Sequence, residues 1–99
     1  MNRGEVRWYK FKKRPVVLLT RDSILAYLGE VTVAPINTTV RDIPSEVPLG
    51  KADGMERDCA VNCDHIQTVS KGEVGKFITM LSAKKQEELR REIHFAIDL

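Results

Sequence analysis

The stretch RPVVLLT, residues 14–20, is a continuous apolar run with a proline near its head and Arg21 just past its end. Runs of this length that are rich in β-branched residues are typical of a strand buried on both faces or lying in a barrel wall. Proline is tolerated at the start of a strand, and it pushes the residue before it toward extended geometry. Arg14 is therefore predicted at the mouth of a buried strand. The alternative is a solvated arginine that caps an ordinary core strand.

Further short strands are predicted on both sides of this run, because apolar and β-branched residues recur between turn-forming ones. A short helix is predicted after Arg21, capped by Asp22 or Ser23 and closed by Gly29. A longer terminal helix is predicted to begin at Ser82. The predicted strands cover residues 5–11, 31–34 (stopped at Pro35), 46–49 (an edge strand), 59–62, 64–69 and 76–81. This pattern favours a mainly β fold, a small closed β-barrel with short helices and a C-terminal α-helix.

The length and composition fit one small domain over residues 1–99. Hydrophobic residues make up 42% of the chain, which is ordinary for a globular protein with a real core. No apolar run approaches the roughly 20 residues of a membrane span, and the N-terminus lacks a signal-peptide core. We therefore expect no membrane association and a cytoplasmic location.

The positive charge is concentrated near the N-terminus. Residues 1–21 carry seven basic side chains and one acidic one, Glu5, although the net charge of the whole chain is only +2. The aromatic residues Trp8, Tyr9 and Phe11 lie among them. Basic side chains beside aromatic ones are typical of phosphate contacts with base stacking nearby. The alternative is a basic hairpin that only aids solubility.

Motifs for metal or nucleotide chemistry are weak. Cys59, Cys63 and His65 offer three ligands where a closed structural zinc site needs four, and their spacing matches no familiar zinc pattern. A nucleophilic pair of Cys63 and His65 is formally possible, but no third orienting group is evident. We therefore predict no metal and no cofactor, two cysteines that act as small apolar fillers, and a partly buried structural His65.

The order of motifs along the chain resembles the MazF/PemK-type toxins, the endoribonucleases of bacterial toxin–antitoxin pairs. The resemblance rests on GEVRW at residues 4–8, RPVV at 14–17, VAPINTT at 33–39, EVPL at 46–49 and DHIQTV at 64–69. It spans nearly the whole chain. It implies an SH3-like barrel of the CcdB/MazF/PemK kind that pairs into a homodimer. The linker at Lys12 and Lys13 is shorter than the loop these toxins usually carry there.

The resemblance also implies the site residues. The arginine of the Arg-Pro-Val motif is catalytic in the family, which assigns that role to Arg14. The family's catalytic threonine corresponds to Asn37, or to Thr38 if the alignment shifts by one residue, and both possibilities stay open. The predicted RNA-binding residues are Lys12, Lys13, Trp8, Thr39 and Gln67.

The implied function is that of a metal-independent, sequence-selective endoribonuclease that leaves a 2′,3′-cyclic phosphate and a 5′-hydroxyl. Its implied partners are single-stranded RNA, a second copy of the chain and a cognate antitoxin with an acidic tail. Two alternatives remain. One is a CcdB-like poison that binds gyrase without catalysis, and the other is an RNA-binding module of the same fold that no longer cleaves.

Overall fold

The computed structural model describes residues 1–97, and its core is one antiparallel sheet followed by a helix. The sheet has seven strands, and a one-turn helix, α1, follows the second of them. The strands are β1 (Glu5–Tyr9), β2 (Arg14–Leu18), β3 (Glu30–Asn37), β4 (Glu46–Leu49), β5 (Cys59–Asn62), β6 (Gln67–Ser70) and β7 (Val74–Met80); the helices are α1 (Asp22–Leu25) and α2 (Ala83–Ile97). The mainly β architecture with a C-terminal helix is confirmed.

Residues 14–18 of the run RPVVLLT form β2, which lies in the middle of the sheet. The strand order is β4-β5-β3-β2-β1-β7, and β6 pairs with the first half of β3. In β2, the side chain of Val17 belongs to one buried cluster, whereas Val16 and Leu18 belong to another on the opposite face. Both faces of β2 are therefore covered, which explains why its sequence is a continuous apolar run.

The sheet does not close into a complete barrel, because no ladder joins its end strands β4 and β7 within residues 1–97. Helix α2 packs beside β4, where Lys85 Nζ donates to the carbonyl of Pro48 at 2.8 Å. Pro48 itself has no N–H to offer another strand. The prediction that residues 46–49 form an edge strand is confirmed. Leu89 of α2 is buried in a core cluster and Ile93 packs against that cluster, whereas Ile97, at the end of α2, is 51% exposed.

Several predicted boundaries were wrong. Pro35 does not stop β3 but lies inside it, opposite Val16 of β2. On its other side β3 pairs with β6 up to Val33 and with β5 from Ile36. Pro35 falls between these two neighbours, so its missing N–H breaks no ladder.

The first hairpin is looser than its short linker suggested. The first strand ends at Tyr9 instead of Phe11, and residues 10–13 form a turn in which Lys13 has φ 51°. The helix α1 ends at Leu25, well before Gly29, and neither Asp22 nor Ser23 is its N-cap. Within residues 1–97, no helix is long and apolar enough to cross a membrane.

Candidate nucleic-acid interface

Arg14 and Asn37 meet across the β2–β3 ladder. Val16 lies opposite Pro35, so Arg14, two residues earlier in β2, and Asn37, two residues later in β3, project from the same face. Arg14 Nη1 donates to Asn37 Oδ1 at 3.2 Å. Arg14 is exposed, while its ladder partner Tyr9 is buried and donates its hydroxyl to Glu73 Oε2 at 3.0 Å. The strand end below the arginine is thus fixed, and the guanidinium itself faces solvent.

These two residues line an open depression of about 830 Å³, which we call the Arg14 cleft. It is lined by Lys12, Arg14, Asn37, Arg41, His65 and Gln67, together with Thr38, Thr39 and Asp64. Three of these side chains are cationic and one is a carboxylate, so the cleft favours an anionic ligand. The structure brings together six of the predicted site residues here: Lys12, Arg14, Asn37, Thr38, Thr39 and Gln67.

A buried carboxylate fixes the loop that carries Arg41 into the cleft. Glu46 Oε1 accepts the backbone N–H groups of Arg41 at 2.8 Å and Asp42 at 3.2 Å, and Glu46 Oε2 pairs with Arg41 Nε at 2.9 Å. Burial alone would raise the pKa of the Glu46 carboxyl, but these donors and the Arg41 charge hold that pKa below its ordinary value. The ionised carboxylate therefore holds the loop in place, even though Asp42 has a positive φ of 57°.

His65 lies on the opposite wall of the cleft and is exposed, so the prediction that it is partly buried was wrong. The chain turns after β5, and the imidazole ring of His65 is exposed to solvent there. The side chain of Asn62, which is only 3% exposed, contacts it, and the two atoms Asn62 Nδ2 and His65 Nδ1 are 2.7 Å apart. Asn62 Oδ1 also accepts the backbone N–H of Asp64 at 3.0 Å. His65 is thus held by a buried amide.

The cysteines do not take part in this site. Cys59 and Cys63 are both buried in the apolar cluster that includes Val61, which agrees with their predicted role as fillers. Burial, together with the nearby carboxylates of Glu92, Asp64 and Glu46, raises the pKa of the Cys63 thiol to about 12. Cys63 is therefore a protonated thiol at neutral pH, and it is buried in the core whereas His65 is exposed in the cleft, so the structure does not support a nucleophilic pair.

Two predicted RNA-binding residues lie outside the Arg14 cleft. Trp8 lies opposite Pro15 in the ladder, one position from the Tyr9–Arg14 pair, so it projects from the other face of the sheet. There it lines a second groove together with Pro15, Met55 and Lys76. Lys13 lies in the exposed turn and is not part of either lining. Thr38, just past the end of β3, lines both depressions.

Sequence reasoning missed Arg41, Asn62 and Asp64. Arg41 is a single basic residue in a polar loop, and Asn62 ends an ordinary short strand, so neither carries a local signal. The carboxylate of Glu46 positions Arg41. The hydroxyl of Ser45 donates to Asp64 Oδ2 at 2.5 Å and so connects the two loops.

Comparison with known proteins identifies the family of this chain. Residues 2–97 match the family model of the PemK-like, MazF-like toxins of type II toxin–antitoxin systems. The chain is 41% identical over 88 residues to the endoribonuclease MazF3 of Mycobacterium tuberculosis, covering 89% of this chain and 85% of that protein.

Solved structures agree with this match. The fold is similar to that of the Mycobacterium tuberculosis toxin MazF-mt6, with a TM-score of 0.90 and 38% identity over 96% of this chain and 97% of that one. It is also similar in fold to an endoribonuclease from a mycobacterial species, solved in complex with its cognate antitoxin, with a TM-score of 0.90 and 23% identity over 100% and 96% of the two chains. The mainly β fold, the motifs around Arg14 and the match over residues 2–97 agree with one another: the chain belongs to the PemK-like, MazF-like toxins of type II toxin–antitoxin systems.

Proposed function

We propose that this protein is the toxin of a type II toxin–antitoxin pair and that it cuts single-stranded RNA in the Arg14 cleft, at selected sequences and without a metal ion. The observation that carries the proposal is the contact of Arg14 with Asn37 in a cleft that is also lined by Lys12 and Arg41. The endoribonuclease activity of the related MazF3 supports it.

The reaction requires little machinery, because RNA carries its own nucleophile. The ribose 2′-oxygen attacks the adjacent phosphorus, the bond from phosphorus to the 5′-oxygen breaks, and a 2′,3′-cyclic phosphate forms. The 2′-hydroxyl loses its proton to solvent, and the leaving 5′-oxygen takes up a proton to become a 5′-hydroxyl. The protein must align the attacking and leaving oxygens and stabilise the negative charge that builds up on the phosphate.

Arg14 suits the stabilising role. Its guanidinium offers five donors in a planar fork that matches phosphate oxygens, and it stays charged because its pKa exceeds about 12. Asn37 already accepts one of these N–H groups, so it orients the fork and leaves the remaining donors for the phosphate. The family's catalytic threonine corresponds to Asn37 or to Thr38, and both residues line the cleft with Arg14.

The proposed partners follow from the charge of the cleft and from exposed aromatic side chains elsewhere on the protein. An antitoxin with an acidic, partly disordered tail would compete with RNA for the cations of the cleft, and its binding would weaken as salt rises. A homodimer would cover exposed aromatic side chains such as Phe11, which is 73% exposed, and Tyr27, which is 86% exposed. We place the protein in the cytoplasm, where the RNA that it would cut is located. Salt-insensitive antitoxin binding, or a stable monomer in sedimentation at micromolar concentration, would contradict these assignments.

One assay separates this function from its alternatives. The purified protein is incubated with mixed single-stranded RNA in EDTA, and cut sites and end groups are mapped. Site-specific cuts with cyclic-phosphate ends support the endoribonuclease. Binding without cutting would show a module that no longer cleaves. Inertness toward RNA together with gyrase inhibition would show a CcdB-like poison instead.

A further inference from the structure

The pair Asn62 and His65 fixes the position of a proton. Asn62 Oδ1 accepts the backbone N–H of Asp64 at 3.0 Å, so the amide nitrogen Nδ2 is the end that faces His65 Nδ1 at 2.7 Å. An amide nitrogen can only donate, so Nδ1 of the imidazole must accept. The ring proton is then on Nε2, and the imidazole is neutral in this arrangement.

Rotation of the Asn62 amide by half a turn is energetically unfavourable. Rotating it by half a turn would place Nδ2 against the backbone N–H of Asp64, two donors facing each other, in a side chain that is 3% exposed. A buried polar group that loses its partner is costly. Within residues 1–97, the carboxylate of Asp64 accepts the hydroxyl of Ser45 at Oδ2 and makes no hydrogen bond to the ring. Asn62 is therefore a positioning residue that selects one tautomer of His65.

We propose that His65 uses this fixed Nε2–H to donate a hydrogen bond to a base of the bound RNA, and that it selects bases that present an acceptor where the other bases present an N–H donor, which distinguishes G and U from A and C. This inference rests on the proposed function, because it assigns a specificity role within the Arg14 cleft. His65 is exposed on the wall of that cleft, and its anchored nitrogen leaves Nε2 as the free donor.

A base is a better partner for this donor than a phosphate. Phosphates are bound most strongly by cations, and Lys12, Arg14 and Arg41 already line the cleft. A neutral N–H adds little to that attraction, but it distinguishes an acceptor from a donor on a base edge. Sequence-specific recognition of single-stranded RNA depends on such contacts with unstacked bases.

The first experiment reads the tautomer directly. Long-range ¹H–¹⁵N correlation spectra of the ¹⁵N-labelled protein show which ring nitrogen of His65 carries the proton, with His94 on α2 as an internal reference. We expect the proton on Nε2 in the native protein. In Asn62→Asp, the carboxylate can accept from Nδ1, so the proton should move to Nδ1. A native His65 protonated on Nδ1, or a proton position unchanged in Asn62→Asp, overturns the inference.

The second experiment reads specificity. Cut sites are mapped in a randomised RNA pool with the native protein and with His65→Ala, and His94→Ala is the matched control. We expect His65→Ala to fold, because the ring is exposed and water can take its place at Asn62 Nδ2. We also expect it to lose about 3- to 10-fold of the preference at one position, in line with the loss of a single hydrogen bond. The preference that is lost should be one that separates G and U from A and C, and His94→Ala should keep the native profile.

The outcomes separate the two proposals. If the native protein cuts RNA and His65→Ala keeps the same base preferences, the inference is wrong while the proposed function stands. If His65→Ala loses rate equally at all sequences, the contact is with the backbone, and base selection by His65 is refuted. If the native protein cuts no RNA, the proposed function falls and base selection falls with it.

Discussion

Replacing Arg14 by alanine tests the proposed site most directly. In the structure Arg14 is exposed and makes one side-chain hydrogen bond, from Nη1 to Asn37 Oδ1 at 3.2 Å. A single exposed hydrogen bond contributes at most about 0.5–1.5 kcal/mol to the free energy of unfolding. We therefore expect Arg14→Ala to fold normally, with a melting temperature lowered by at most about 12 °C, because 1 kcal/mol corresponds to roughly 4–8 °C for a domain of this size.

The effect on the rate should be much larger. Removal of one preorganised donor to a developing oxyanion typically costs about 100- to 1000-fold in the chemical step, or roughly 2.7–4 kcal/mol. Arg14→Lys should recover little of this loss, because an ammonium cannot make the two-pronged contact that a guanidinium makes with phosphate. The contrast between a small stability change and a large rate change is the signature of a catalytic residue.

The assay is single-turnover cleavage of a defined oligonucleotide in EDTA, with circular dichroism to confirm folding. Arg90→Ala is a matched control, because Arg90 lies on α2, outside the Arg14 cleft, in an exposed ion pair with Glu87. It should cut at the native rate. If Arg14→Ala folds and still cuts at nearly the native rate, the active site lies elsewhere and the reasoning from this cleft is refuted.

Three further predictions follow from the lining and the core. Lys12→Ala should weaken RNA binding and lower the slope of log affinity against log salt by about 0.7, which is the value for one phosphate contact on a single strand. Lys13 lies outside the lining, so Lys13→Ala should change this slope less. Equal slopes in salt titrations of the two variants would contradict the role of Lys12. The pKa of Glu46 is held below its ordinary value of 4.5, so its stabilising contribution is present above pH 4.5 and is lost as the pH falls through the lower, folded-state pKa. Glu46→Gln should therefore flatten the acid limb of the unfolding free energy measured against pH, and an unchanged limb would refute the role of the carboxylate. Cys63→Ala should keep RNA cleavage, because a buried thiol with a pKa of about 12 is not a nucleophile; loss of activity in a folded variant would reopen that possibility.

Much of the fold could be predicted because local sequence carries the needed signals. The two-sided burial of β2 follows from its uninterrupted apolar run, and the edge position of β4 follows from Pro48. The failure at Pro35 has a clear reason. Whether a missing N–H matters depends on which strand lies alongside, and β3 changes neighbours at that residue.

The candidate site divides in the same way. The Arg-Pro-Val motif and the polar residues after Ile36 could be recognised in the sequence, and the ladder then placed Arg14 beside Asn37. The distribution of the other predicted residues could not be known beforehand. Trp8 and Arg14 are both near the N-terminal turn, yet the alternation of side chains along paired strands sends them to opposite faces of the sheet.

The sequence by itself thus determined the strands, the family and the central arginine, because each depends on residues that are close together in the chain. Only the tertiary structure decided that Arg41 enters the cleft, that His65 is exposed there and that a buried Asn62 holds its ring. These features depend on burial and on hydrogen bonds between loops. A local pattern cannot specify them, because the free energy of each polar group is set by the partners that folding brings to it.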